Sequence, residues 1–195
     1  MLIAMTMSSE YRRQAIYHHF MAAHSRAANN ANALACMLAT YYSGGGAMPA
    51  ELGLNPEDFT QLVEYHFPGV SLPICQPRTA PQWDPRLAEE KEELEKLMLI
   101  YRAGVDPAEV WLSRIVAIGC MGSDHLWQDL GLWSRRMLSE LLVRNFPELA
   151  AKNDRDMKWK KFFYKQLCIQ EGIYICRAPS CEQCTDYHHC FGPEE

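Results

Sequence analysis

The chain has 195 residues, 48% hydrophobic and 22% charged, which excludes wholesale disorder and gives one domain or a tight pair. A formal charge of −5 argues against a broad nucleic-acid or anionic-membrane footprint. Eight cysteines are the unusual feature, four of them between Cys176 and Cys190.

Residues Met1 to Ser8 carry neither a basic leader nor a long apolar core, so they do not read as a secretory signal. No apolar run approaches the roughly 20 residues needed to span a bilayer. Both features point to a cytoplasmic protein whose thiols are reduced and open to metals. The pattern predicts an all-α protein: an irregular helical bundle with a C-terminal four-cysteine metal-cluster loop. Residues 1–30 form a variable N-terminal helix, 31–172 the helical bundle, and 173–195 the cysteine-rich loop packed on it.

In chain order, helices are expected over 9–26 and 31–42, the second ended by Gly44-Gly45-Gly46. Three further starts share one device, a capping Asn or Asp followed by proline: Asn55-Pro56, Asp84-Pro85 and Asp106-Pro107. Leu54 with Phe59, Val105 with Val110, and Trp133 with Leu138 sit at hydrophobic-staple spacing. Asp106 and Glu109 have the spacing of a capping box. On the helix over 56–66, His66 shares the apolar face and reads as a core histidine.

Pro68, Pro73, Pro77, Pro81 and Pro85 forbid a helix between them and predict an extended connection, with Cys75 as an isolated thiol. The run Glu89 to Lys96 reads as a solvated face with a Glu92–Lys96 pair. Residues 107–121 are apolar around nearly the whole circumference, which places that helix at the centre of the bundle. Where it ends, Cys120, Asp124 and His125 gather a thiol, a carboxylate and an imidazole. Helices over 134–145 and 157–171 complete the body, the last closed by Gly172.

That last helix carries Lys158, Lys161 and Lys165 at helical spacing, with Lys160 and Arg177 nearby. Residues 151–177 hold seven basic against three acidic side chains, an island of positive charge in a negative chain. It is either a solvated face or a surface for an anionic cluster, an oxyanion or an acidic partner. No Gly-rich phosphate loop, G-x-S-x-G or H-E-x-x-H is present, so hydrolase chemistry has no sequence support.

Cys176, Cys181, Cys184 and Cys190 are spaced C-x4-C-x2-C-x5-C in a segment with too few apolar residues to form a core. Four clustered thiolates call for a metal. Structural zinc takes two tight pairs set apart, whereas only Cys181 and Cys184 form a pair, which favours an iron–sulfur cluster.

The stretches Met157-Lys158-Trp159-Lys160-Lys161-Phe162-Phe163-Tyr164, Cys176-Arg177-Ala178-Pro179-Ser180-Cys181 and Cys190-Phe191-Gly192-Pro193-Glu194 resemble the NifQ family of nitrogen-fixation proteins. So do His125-Leu126-Trp127-Gln128-Asp129-Leu130-Gly131-Leu132 and His66-Phe67-Pro68-Gly69. The resemblance implies a molybdenum–iron–sulfur cluster carrier for nitrogenase iron–molybdenum cofactor synthesis, not a conventional enzyme. It also implies molybdate as the source. The partners would be the nitrogenase iron protein and the cofactor-assembly scaffold, with Cys176, Cys181, Cys184 and Cys190 as cluster ligands. Three thiolates suffice for the irons of an incomplete cubane, with 3Fe-4S or 4Fe-4S forms both open. The molybdenum corner is then open to Cys190, to His188 or His189, or to the Cys120, Asp124 and His125 group. Two other readings of the residues are a nucleic-acid-binding helical protein with a structural iron–sulfur cluster and a zinc-stabilised interaction module.

Overall fold

A computed structural model describes residues 8–25, 28–74, 87–170, 172, 187–192 and 194, and among these all regular structure is helical. The first helix, α1, spans Ser9–Ala22, with the Ser8 side chain accepting the Tyr11 amide at its start. It stops short of residue 26 because the chain turns away to give the Ser25 amide to the His66 carbonyl at 2.8 Å. Helix α2, Ala31–Tyr42, packs against α1 and is buried along its whole length except at Asn32.

Between α2 and the next helix lies a left-handed turn. Glu51 and Leu52 have φ of 57° and 53°, and Gly53 follows at 78°. Left-handed backbone costs an ordinary residue roughly 1–2 kcal/mol, and the burial of Leu52 at 0% exposure offsets it. Only glycine fits at position 53, since a Cβ there would lie 2.4 Å from the Ile118 side chain.

Helix α3, Pro56–His66, starts as the Asn-Pro signal predicts: Asn55 Oδ1 accepts the Asp58 amide at 2.8 Å, and Leu54 and Phe59 are both buried. His66 is a core residue with Nδ1 2.8 Å from the Leu62 carbonyl, while its Nε2 has no hydrogen-bond partner. Burial holds its pKa below the ordinary histidine value, so the ring is neutral. The described part of the proline-rich connection crosses α1, where His19 Nε2 meets the Ser71 carbonyl at 2.8 Å. Cys75 and Asp84-Pro85 lie outside the described residues.

Helix α4, Leu87–Ile100, buries Leu94, Leu97 and Met98 and packs on α5, Ala108–Cys120, with Glu89, Glu90, Glu92 and Glu93 exposed and Glu95 half-buried. The ion pair on its face is Glu93–Lys96 at 2.7 Å, one residue closer than the expected Glu92–Lys96. Helix α5 is the predicted central helix, with every residue from Ile115 to Cys120 buried. Its cap exceeds the expected box: the Glu109 carboxylate accepts the amides of Gly104, Val105 and Asp106, and Asp106 Oδ1 accepts that of Ala108. Val105 is 81% exposed, so its staple with Val110 does not form; the carboxylate already pins the turn. Arg114, the one basic residue of α5, reaches Asp58 at 2.6 Å and Glu95 at 3.1 Å, tying α3, α4 and α5 together.

A one-turn helix, α6, covers Leu126–Asp129, followed by α7, Arg135–Asn145, and the short α8, Pro147–Ala151. Asn30 and Asn145, both buried, exchange amide hydrogen bonds of 2.9 and 2.8 Å and join the start of α2 to the end of α7. Helix α9, Trp159–Gln170, buries Trp159, Phe162, Phe163 and Leu167, and a final turn, α10, spans Tyr187–Cys190. No helix of the described residues is long and apolar enough to cross a membrane.

Candidate functional site

The exit of α5 is where the chemistry-bearing residues and the basic helix meet. After Cys120 the chain makes a turn through Gly122 and Asp124 into α6, whose cap residue His125 donates its amide to Gln128 Oε1 at 3.2 Å. The end of α6 is fastened to α2 and the loop after it: the Ala47 amide reaches the Asp129 carbonyl at 3.2 Å, and Thr40 Oγ1 donates to the Gly131 carbonyl at 2.6 Å.

Beneath the turn lies the Asp129 carboxylate, 1% exposed, accepting the Asp124 amide at 3.1 Å. Lys160 of α9 completes this lock. Its ammonium pairs with Asp129 Oδ2 and donates to the Gly122 carbonyl at 2.8 Å. The carboxylate sits where a side chain on residue 122 would be, because a Cβ there would stand 2.3 Å from its carbon. Asp129 Oδ1 is buried without a hydrogen-bond partner. Lys160 is thus turned inward and 17% exposed, unlike Lys161 and Lys165 on the open face.

Cys120 lies in the same buried corner, 4% exposed, and burial pushes its thiol up to about 12 against a partial opposing pull from Lys160. At neutral pH it is a protonated thiol. Asp124 is exposed and His125 half-buried. Among the described residues no three His, Cys, Asp or Glu side chains stand together closely enough to hold a metal ion, so Cys120, Asp124 and His125 do not form such a group.

The C-terminal segment returns to this corner at two points. At the first, the Lys158 amide donates to the Cys190 carbonyl at 2.8 Å and its ammonium to the His188 carbonyl at 3.2 Å. Phe191 fills a core position, 4% exposed, and stacks on Tyr187 with ring centroids 4.5 Å apart. At the second, the Glu194 carboxylate, 3% exposed, lies 3.4 Å from Arg135 Nε and 3.9 Å from His125 Nδ1. Glu194 follows Cys190 by four positions, a backbone reach of about 14 Å at most. The half-buried Cys190 is held at the head of α9 through the Lys158 amide. His188 and His189 are exposed on α10. Cys176, Cys181, Cys184 and Arg177 lie outside the described residues.

Sequence reasoning missed Asp129, Arg135 and Glu194. Lys160 did carry a signal: it falls on the same side of α9 as Tyr164 and Leu167, one partly and one fully buried. Glu194 carried none, since an acidic residue near a chain end has no local pattern.

The NifQ family model matches residues 33–192, a span that contains all four cysteines of the C-terminal loop. The chain is 47% identical to Protein NifQ of Azotobacter vinelandii over 161 residues, 77% of this chain and 82% of that protein. It is 40% identical to Protein NifQ of Rhodobacter capsulatus over 78% of this chain and 82% of the relative. To Protein NifQ of Klebsiella pneumoniae it is 36% identical, over 77% and 92%. No solved structure matches. A family match across most of the chain, joined by relatives covering four-fifths or more of their own length, has one meaning: the chain belongs to the NifQ family.

Proposed function

We propose that this chain is a cytoplasmic carrier of a molybdenum–iron–sulfur cluster, which it receives with molybdenum from molybdate and donates to nitrogenase iron–molybdenum cofactor synthesis. The observation that carries the reading is the family match running through Cys176, Cys181, Cys184 and Cys190. In this reading the first three thiolates hold iron, and the group at the molybdenum corner exchanges when the cargo leaves. Cys190, His188 and His189 on α10, and Asp124 and His125 at the turn, are the accessible donors for that corner. Cys120 stays protonated in the folded bundle and acts beneath the turn rather than on the cargo.

The chain's own residues supply position and charge. Lys158 holds the backbone at His188 and Cys190, and the exposed Lys161 and Lys165 offset an anionic cargo or an acidic partner. The partners are the nitrogenase iron protein and the cofactor-assembly scaffold. The protein works as a donor, with no turnover of its own required.

The test is donation. Protein loaded anaerobically and freed of excess molybdate is supplied as the sole molybdenum source to a reconstituted cofactor-assembly mixture. Active cofactor should form with wild-type chain and fail with Cys181→Ala. Equal yields from the two proteins, or none from a loaded wild type, overturn the reading.

A further inference from the structure

Beside the anchored tail lies a cleft of about 350 Å³ on the face of the molecule formed by α8, the following loop and α9. Its floor is apolar, made by the buried side chains of Met157, Phe162 and Phe191. Around it stand three cations, Lys152, Arg155 and Lys165, against one acid, Asp154. In a chain of net charge −5 that is a local reversal of sign.

The cleft is built from fixed parts. Asn153 bridges its loop at both ends of one contact, accepting the Met157 amide at 2.8 Å and donating to the Met157 carbonyl at 2.9 Å. Lys152 is held in place by the Tyr101 hydroxyl at 2.5 Å and stands 4.1 Å over that ring. A cation already ordered loses little freedom when a ligand arrives. At roughly 30 Å³ per water, the volume corresponds to about twelve waters, room for a tetrahedral oxyanion and part of its hydration shell.

We propose that this cleft binds a small tetrahedral oxyanion between Lys152, Arg155 and Lys165. Gln166 lines the same cleft and adds amide donors. Phe191, which forms part of the floor, directly follows Cys190, so a bound anion sits next to the end of the cysteine loop. The cleft's role as a port through which molybdate reaches the cargo rests on the carrier reading; the anion site itself does not. Molybdate, sulfate and phosphate share the recognised chemistry, and competition between them identifies the source.

The experiment is equilibrium dialysis of the full chain against radiolabelled molybdate, on anaerobically purified protein with its iron and sulfide content measured on the same samples. Wild type should bind saturably, and Arg155→Gln/Lys165→Gln should weaken binding at least about tenfold. Lys96→Gln, on the exposed face of α4, should bind as wild type does. Thermal melts check that each variant is folded, and Lys165→Glu alone serves as a second charge test. Absence of saturable binding, or equal binding by wild type and the double variant, overturns the site. Displacement by phosphate or sulfate at concentrations equal to molybdate overturns the port role. Anion binding without iron or sulfide would refute the carrier reading and leave the site standing; iron and sulfide without anion binding would do the reverse.

Discussion

Replacing Lys160 with methionine tests whether the corner beneath the turn is held by charge. The substitution keeps the aliphatic stem and removes the ammonium that pairs with Asp129 and donates to Gly122. The carboxylate left behind is 1% exposed, has one oxygen without a partner, and keeps only the Asp124 amide on the other. Removing one member of a buried pair costs about 3–5 kcal/mol, because the remaining charge is uncompensated. The lysine is 17% exposed, so water can reach part of the site, which sets the expectation at the lower end, about 3 kcal/mol. In a chain of this size that lowers Tm by roughly 6–12 °C. Asp129→Asn/Lys160→Met removes both charges and should recover a substantial part of the loss, giving a coupling of about 2 kcal/mol in a double-mutant cycle. Urea unfolding followed by circular dichroism measures all four proteins. A Lys160→Met loss under about 1 kcal/mol, or additive single losses, would show that the pair does not fasten α9 to the turn.

Gly122→Ala places a methyl 2.3 Å from the Asp129 carboxyl carbon and should destabilise by about 1–3 kcal/mol in the same urea assay. Alkaline pH supplies a second check. Burial raises the thiols of both Cys36 and Cys120 from 9.0 to about 12. The unfolded chain therefore loses these protons first, and stability, level below pH 9 with respect to these groups, falls between pH 9 and 12 by roughly 1 kcal/mol per thiol per pH unit. Cys36→Ala/Cys120→Ala should flatten that decline in urea titrations. His125→Ala should lower molybdenum content more than iron content by elemental analysis; equal loss of both, or of neither, would refute a place for it at the molybdenum corner.

Where local chemistry decides the structure, it was legible in advance. Asn55 caps α3, Asp106 and Glu109 cap α5, and the all-round apolar pattern puts α5 in the core, each through contacts within a few residues in sequence. What could not be read depends on partners far along the chain. Lys160 faces inward because Asp129, on α6, waits for it, and Asn30 is buried because Asn145 reciprocates. Glu51 and Leu52 adopt left-handed backbone without being glycine, so nothing local marks them, and their strain is tolerated through the packing of Leu52. The turns α6, α8 and α10 are too short to show periodicity. Of the candidate site, the cysteine spacing and the basic face were readable, while the Glu194 contacts to His125 and Arg135 depend on tertiary proximity alone.

The proposed carrier function requires that Cys176, Cys181, Cys184 and Cys190 hold an iron–sulfur cluster that takes up molybdenum. Anaerobic iron, acid-labile sulfide and molybdenum analysis, paired with electron paramagnetic resonance and run with and without molybdate, addresses it most directly. A carrier should be brown, with iron and sulfide in both samples, and should show molybdenum together with a changed resonance signal only when molybdate is present. A colourless protein that retains stoichiometric zinc after anaerobic iron reconstitution would contradict it.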